Sequence, residues 1–98
     1  MAHDLIFDPS IPDDLVNALY YYEAISPTLA NRLRAGIDKR LDDIADRPES
    51  FPFDVRPIRF ARLERFPYVI FFVVRKSHVI ILAIVHGSSE PKKWRERL

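Results

Sequence analysis

The chain has 98 residues, of which 48% are hydrophobic and 30% charged, with 2 Gly, no Cys and a net charge of +1. These values indicate one globular domain over residues 1–98 and exclude a disordered chain, a disulfide framework, a thiolate metal site and a glycine-rich phosphate loop. The charge is unevenly divided: residues 1–54 hold five Lys/Arg against eleven Asp/Glu, and residues 55–98 hold ten against three. Either the halves neutralise each other in the fold, or the second half presents a basic surface to a polyanion or an acidic partner.

The first predicted elements are a short strand and a helix. Leu5–Phe7 is an apolar run that ends at Asp8-Pro9, because proline cannot donate a hydrogen bond to a neighbouring strand. Ser10 then looks like a helix cap, with Asp13 three residues later at capping-box spacing. Apolar residues at helical spacing follow, so we expect a first helix that ends near Ile25.

A second helix is predicted directly after the first. Ser26 is a capping residue and Pro27 occupies the first helical position. Apolar residues then recur every three or four positions until about Arg47, where Pro48 ends the helix. The two helices should form an antiparallel hairpin whose Asp-rich outer face is solvated.

The rest of the chain predicts a sheet. Val55–Leu63, Tyr68–Arg75 and His78–Val85 are rich in β-branched and aromatic residues, and a tight turn at Lys76-Ser77 joins the last two. Glu90–Leu98 is a polar tail, either a short helix or an extended arm. The order β-α-α-β-β-β predicts an α+β domain with the helical hairpin on one face of an antiparallel-rich sheet. Because the last two strands are almost wholly apolar, we expect both faces to be covered, the second by a partner.

No export signal, membrane span, cofactor or metal site is expected. Residues 1–4 lack a basic start, and Tyr68–Val74 is far shorter than the roughly 20 residues of a spanning helix. The histidines His3, His78 and His86 are too scattered for a metal site. Together with the absence of cysteine, this favours a complete cytoplasmic protein that does not contact membranes.

Four arginines recur every three residues, at Arg56, Arg59, Arg62 and Arg65. On a strand, Arg56 and Arg62 would share one face and Arg59 would point to the other. Arginines presented by a strand can hold phosphates or carboxylates with paired hydrogen bonds. The alternative is that they are edge-strand charges, which discourage aggregation.

Other candidate residues have two interpretations each. His86, just past the fourth strand, is suited to proton transfer, although a lone histidine at a strand end is often structural. Trp94 lies among basic residues and could stack on a nucleobase, dock in a partner groove or pin the tail to the domain. Tyr22 belongs to the apolar face of the first helix. Tyr20 and Tyr21 either contact a partner or lie partly covered at the edge of the core.

Four segments occur in an order known from one group of toxins: ALYYYEAISPTLANRL, RPESFP, IRFARLERFPYVIFFVV and VIILAIVHGSSEPKKW. Over about residues 4–97 the chain resembles the RelE/ParE toxin superfamily, and more narrowly its plasmid-stabilisation branch. The resemblance implies a β-α-α-β-β-β fold and the toxin half of a type II toxin–antitoxin pair. It also implies a small cognate antitoxin that wraps the toxin and through which operator DNA is contacted only indirectly.

The resemblance leaves two targets and one inactive alternative. Relatives of the RelE kind cut messenger RNA on the ribosome, and relatives of the ParE kind poison DNA gyrase. Arg59, Arg62 and His86 match positions that are commonly functional, and they are the catalytic candidates if the chain is a ribonuclease. The branch usually has an arginine where this chain has Ser89, which favours a gyrase-type target or an attenuated homologue over RNA cleavage. The candidate partner- or nucleic-acid-binding residues are Arg56, Arg65, Tyr68, Arg75, Lys92, Lys93 and Trp94.

Overall fold

The structure, a computed structural model, describes residues 2–97 except for the side chains of Lys92 and Lys93. Its elements are β1 (Asp4–Phe7), α1 (Ile11–Ile25), α2 (Pro27–Asp46), a 3₁₀ turn (Pro48–Ser50), β2 (Ile58–Arg62), β3 (Tyr68–Val74), β4 (His78–His86) and α3 (Pro91–Arg95). The predicted α+β class and element order are confirmed, and the tail adopts the helical alternative. Among residues 2–97, no helix combines the length and apolar character needed to cross a membrane.

The four strands form one mixed sheet in the order β1-β4-β3-β2. β1 pairs in parallel with β4, and the β4–β3 and β3–β2 pairs are antiparallel. A β-bulge interrupts the β3–β4 register, because Phe71 pairs with Ala83 whereas Phe72 pairs with Ile81. The bulge reverses which side chains face the helices, so Ile81 and Ile84 both lie in the core under the helical hairpin.

The two helices begin in different ways. The Ser26 hydroxyl accepts a hydrogen bond from the Leu29 N–H at 3.4 Å, which confirms the predicted cap of α2. At α1 the predicted capping box is wrong, because the Ser10 backbone is helical and its side chain makes no cap bond. Asp8 accepts the hydrogen bonds at the start of α1 instead. Its carboxylate accepts one from the Ser10 N–H at 2.9 Å, and its carbonyl accepts one from the Ile11 N–H at 3.0 Å.

The inner face of the sheet and the helical hairpin enclose the main core. Leu33, Ile37 and Ile44 of α2 are at most 2% exposed, as are Phe72 of β3 and Ile81 of β4. Burying side chains of this size contributes about 1.5–3 kcal/mol each relative to leaving them exposed. The apolar residues that recur along α2 are therefore the ones that pack the helical hairpin on the sheet.

The outer face of the sheet is covered by the chain itself. Trp94 of α3 is 2% exposed, and its ring stacks on Phe71 at 3.7 Å between centroids. The expectation that both faces are covered is confirmed, but the expectation that a partner covers the second one is corrected, because α3 packs on it. The large exposed apolar residues lie elsewhere, mainly on α1 and β1: Ile6, Phe7, Val16, Tyr20, Tyr21, Ile25 and Val55.

The first long strand is shorter than predicted. β2 begins at Ile58 rather than at residue 55, because the Ile58 N–H donates to the Val55 carbonyl and closes a turn, and Pro57 has no N–H to donate. Arg56 therefore lies in this turn and does not share a strand face with Arg62. Its guanidinium sits over the ring of Phe53, 4.5 Å from the centroid.

Candidate functional site

One end of the sheet brings several of the candidate residues together. Arg62 ends β2 opposite Val69, and His86 ends β4 opposite Tyr68. A shallow cavity of about 160 Å³ opens on the outer face at this end. Its lining includes Arg62 and His86 together with Asp54, Phe71, Ser89 and Trp94. Of the predicted site residues, Arg62, His86 and Trp94 meet at this cavity.

The hydrogen bonds of His86 fix the tautomer of its imidazole. Its Nδ1 accepts from the Ser88 backbone N–H at 3.1 Å, and the Ser88 hydroxyl lies 2.8 Å from the same nitrogen. Because a backbone N–H can only donate, Nδ1 is the unprotonated nitrogen and Nε2 carries the proton of the neutral ring. His86 therefore offers a hydrogen-bond donor at Nε2, and accepting a proton there requires the tautomer to change first.

Tyr68 holds the His86 ring from the side of the helices. The two rings meet edge to face, 5.6 Å apart, and Tyr68 also meets Tyr22 of α1 at 6.1 Å. Burial raises the pKa of the Tyr68 phenol, and the neighbouring phenols of Tyr22 and Tyr21 raise it further. The phenol is therefore neutral at physiological pH and acts as a buried support for the imidazole.

Arg59 and Arg62 point to opposite faces, as the strand periodicity predicted. Nη1 of Arg59 donates to the Phe51 carbonyl at 2.6 Å and to the Glu49 carbonyl at 3.2 Å, and the guanidinium lies 3.9 Å from the centroid of the Phe53 ring. Arg59 thus holds the connector after α2. Of the catalytic candidates, the structure brings Arg62 and His86 to the cavity and leaves Arg59 outside it.

Arg62 has a different environment from Arg59. It is exposed, its guanidinium lies 5.5 Å from the centroid of the Phe60 ring, and the ion pairs among residues 2–97 do not include it. Its charge is therefore available to an anion at the rim of the cavity.

The candidate partner residues are scattered. Arg75 is exposed at the β3–β4 turn, far along the sheet from the cavity. Trp94 holds the C-terminal tail on the domain, which is one of its three predicted roles. Its buried ring cannot stack on a nucleobase while α3 is docked. The side chains of Lys92 and Lys93 lie outside what the structure describes. The candidates whose side chains the structure describes do not form one continuous surface.

A second cavity, which sequence reasoning missed, runs beside α2. It has a volume of about 550 Å³, and its lining includes Arg32, Gly36, Lys39, Arg65 and Phe66. The sequence predicts instead that the outer face of α2 is solvated. The spacing of Arg32, Gly36 and Lys39, at i, i+4 and i+7, was the signal that they form one stripe.

Comparison with known proteins agrees with this fold. A family model described as the ParE toxin of the type II toxin–antitoxin system parDE matches residues 5–91. No curated protein matches the chain. A solved structure titled as the chromosomal ParDE TA system from P. aeruginosa superposes with a TM-score of 0.71 and 22% identity, over 87% of this chain and 96% of that one. That likeness shows a shared fold, whereas the family model covers most of the sequence. The chain therefore belongs to the ParE toxin family of type II toxin–antitoxin systems.

Proposed function

We propose that the protein is neutralised by a cognate antitoxin and, when free, acts by binding DNA gyrase or a similar protein target rather than by cutting messenger RNA. Membership of a toxin–antitoxin family implies the antitoxin partner. The observation that carries the choice of target is the failure of the catalytic candidates to converge, since Arg59 is bonded to carbonyls on the far side of the sheet.

Ribosome-dependent cleavage needs groups that the described side chains of this cavity do not supply as a set. The attacking 2′-OH must lose a proton to a base, and cations must stabilise the charge that develops on the phosphate. His86 has its Nδ1 lone pair engaged by Ser88, and Ser89 brings a hydroxyl in place of a cation. Among the side chains that the structure describes, Arg62 is then the one cation lining the cavity. A single cation among the described side chains, together with a histidine whose Nδ1 lone pair is already engaged, favours binding over RNA cleavage.

Two assays with equal amounts of the free protein test the proposal. We expect it to inhibit supercoiling by purified DNA gyrase, and to leave messenger RNA on translating ribosomes uncut when the transcripts are mapped by primer extension. Adding the antitoxin should restore supercoiling. Cleavage of the transcripts without inhibition of supercoiling would reverse the assignment and favour the RelE-type activity.

A variant at His86 sharpens the distinction. A general acid or base contributes about 10²–10⁴-fold to a rate, so His86→Ala would abolish most of any real cleavage activity. If the protein acts by binding a target elsewhere on its surface, the same variant should inhibit gyrase as well as the unaltered chain does. Tyr68→Phe is the matched control, because it keeps the ring that supports His86 and removes only the phenol oxygen.

A further inference from the structure

The cavity beside α2 has an apolar floor. It lies between α2 and the turn that follows β2, and we call it the α2 groove. Leu63 forms part of the floor and is 7% exposed, and Phe66, half-buried, packs edge to face against Tyr22 at 5.2 Å. A floor of this kind favours an occupant that brings apolar side chains of its own.

Gly36 opens the groove towards the backbone of α2. Glycine inside a helix is unfavourable relative to alanine, so its presence there calls for a reason. The fold does not supply one, because a Cβ added at Gly36 would meet only Leu63 Cδ2, at an ordinary contact distance of 3.7 Å. The space that the missing side chain leaves faces the groove, where it lets an occupant approach the helix closely.

The rim of the groove is mainly basic, since four cationic side chains line the groove, at Arg32, Lys39, Arg40 and Arg65, against the two carboxylates of Asp43 and Glu64. Arg32 and Lys39 lie on α2 about 10 Å apart along the helix axis, and Arg65 stands across the groove. The ion pairs found among residues 2–97 include none of these three, whereas Arg40 beside them is paired with Asp43 at 3.2 Å. The rim therefore carries positive charge that the described part of the chain leaves available to an anionic occupant.

We infer that the α2 groove binds an acidic, amphipathic segment of the antitoxin, with carboxylates on Arg32, Lys39 and Arg65 and an apolar side chain over Gly36. A nucleic-acid backbone would match the charge of the rim but would bring no aliphatic side chain to the floor of Leu63 and Phe66. The inference rests on the proposed neutralisation by an antitoxin, and it adds the surface where the contact is made.

Charge reversal on α2 tests the rim. The antitoxin is co-expressed with this chain, purified, labelled with a fluorophore and titrated with the toxin at low and at moderate salt. We expect Arg32→Glu to weaken binding about tenfold at low salt, with a smaller effect at moderate salt. Arg34→Glu is the matched control, because it makes the same charge change on an exposed residue of the same helix that does not line the groove.

Gly36→Ala tests the floor of the groove, because we expect it to increase thermal stability and to decrease affinity for the antitoxin. The added methyl should raise the midpoint of thermal unfolding by about 5 °C, because alanine favours the helix and the nearest atom allows it room. The same methyl should weaken antitoxin binding, since it occupies the space kept for the partner. A variant that is more stable but binds less tightly cannot be explained by damage to the fold.

The outcomes separate the inference from the proposed function. Equal affinities of the Arg32→Glu and Arg34→Glu variants, or unchanged affinity of Gly36→Ala, would overturn the groove as the antitoxin site while leaving neutralisation intact. Failure of the unaltered chain to bind the antitoxin would overturn both. A labelled single-stranded 12-nucleotide DNA or RNA that binds and is weakened selectively by Arg32→Glu would show a nucleic-acid groove instead, and would also overturn the inference.

Discussion

Asp14 of α1 is a buried charged residue that hydrogen-bonds to two distant parts of the chain, β4 and the residues after α3. It is 8% exposed, and its Oδ2 accepts from the Ile84 N–H at 3.0 Å. Ile84 lies beyond the point where β1 stops pairing with β4, so the carboxylate replaces the strand that would otherwise have bonded this amide. The same carboxylate accepts two hydrogen bonds from the Arg97 guanidinium, at 2.7 and 3.1 Å. These bonds raise the pKa of Arg97 still further above its already high value.

Removing this carboxylate should be costly. We expect Asp14→Ala to lower the free energy of unfolding by about 3 kcal/mol, because it leaves a buried amide and a partly buried guanidinium without their partner. Urea denaturation followed by circular dichroism measures the change. Asp13→Ala is the control: Asp13 is exposed in the same helical turn, and its loss should cost less than about 1 kcal/mol through the helix dipole. Equal effects of the two variants would contradict the bonding described here.

At the scale of elements, the starts of α1 and α2 offer a comparison within one molecule. Ser26→Ala should lower the free energy of unfolding by about 1 kcal/mol, because its hydroxyl caps α2. Ser10→Ala should change it by less than about 0.5 kcal/mol, since that side chain makes no cap bond and Asp8 accepts the backbone bonds instead. Thermal or urea unfolding of the two variants checks this. A larger loss at Ser10 than at Ser26 would reverse the assignment of the caps.

Local patterns predicted the elements that depend on neighbours in the chain. The apolar spacing of α2 and the stop at Pro48 gave its bounds closely, since both signals act within one or two helical turns. The alternation along β2 gave the opposite directions of Arg59 and Arg62 correctly. Such predictions need only the geometry of one helix or strand.

What the sequence did not give depends on contacts that are distant or shift the register. Asp14 and Arg97 are 83 positions apart, and no helical or strand periodicity in the sequence indicates that they pair. The β-bulge in β4 is not encoded by a glycine or proline, yet it decides that Ile84 faces the helices. The hydrogen bonds from Arg59 to the Glu49 and Phe51 carbonyls likewise depend on the path that the chain takes between α2 and β2. Each outcome needs the packed structure.

At the scale of the whole molecule, the segment after β4 joins both layers. Trp94 packs on the outer face of the sheet against Phe71, and Arg97 reaches α1 through Asp14. Arg95 adds an exposed ion pair with Asp54 at 3.0 Å. Two of these contacts are largely buried, and they connect the segment to the same strands that carry the main core. The segment should therefore be part of the cooperative unit rather than a separate tail.

The single tryptophan makes this cooperativity measurable. We expect the urea transition followed by Trp94 fluorescence to coincide with the transition followed by far-ultraviolet circular dichroism, because undocking α3 exposes the outer core and breaks the bond to Asp14. Arg95→Ala is the control: an exposed ion pair contributes at most about 1 kcal/mol, so the two transitions should shift little and still coincide. Asp14→Ala should shift both together to lower urea. If the fluorescence transition precedes the dichroism transition in the unaltered chain, the C-terminal segment detaches before the domain unfolds, and its contacts with Phe71 and Asp14 are weaker than their burial indicates.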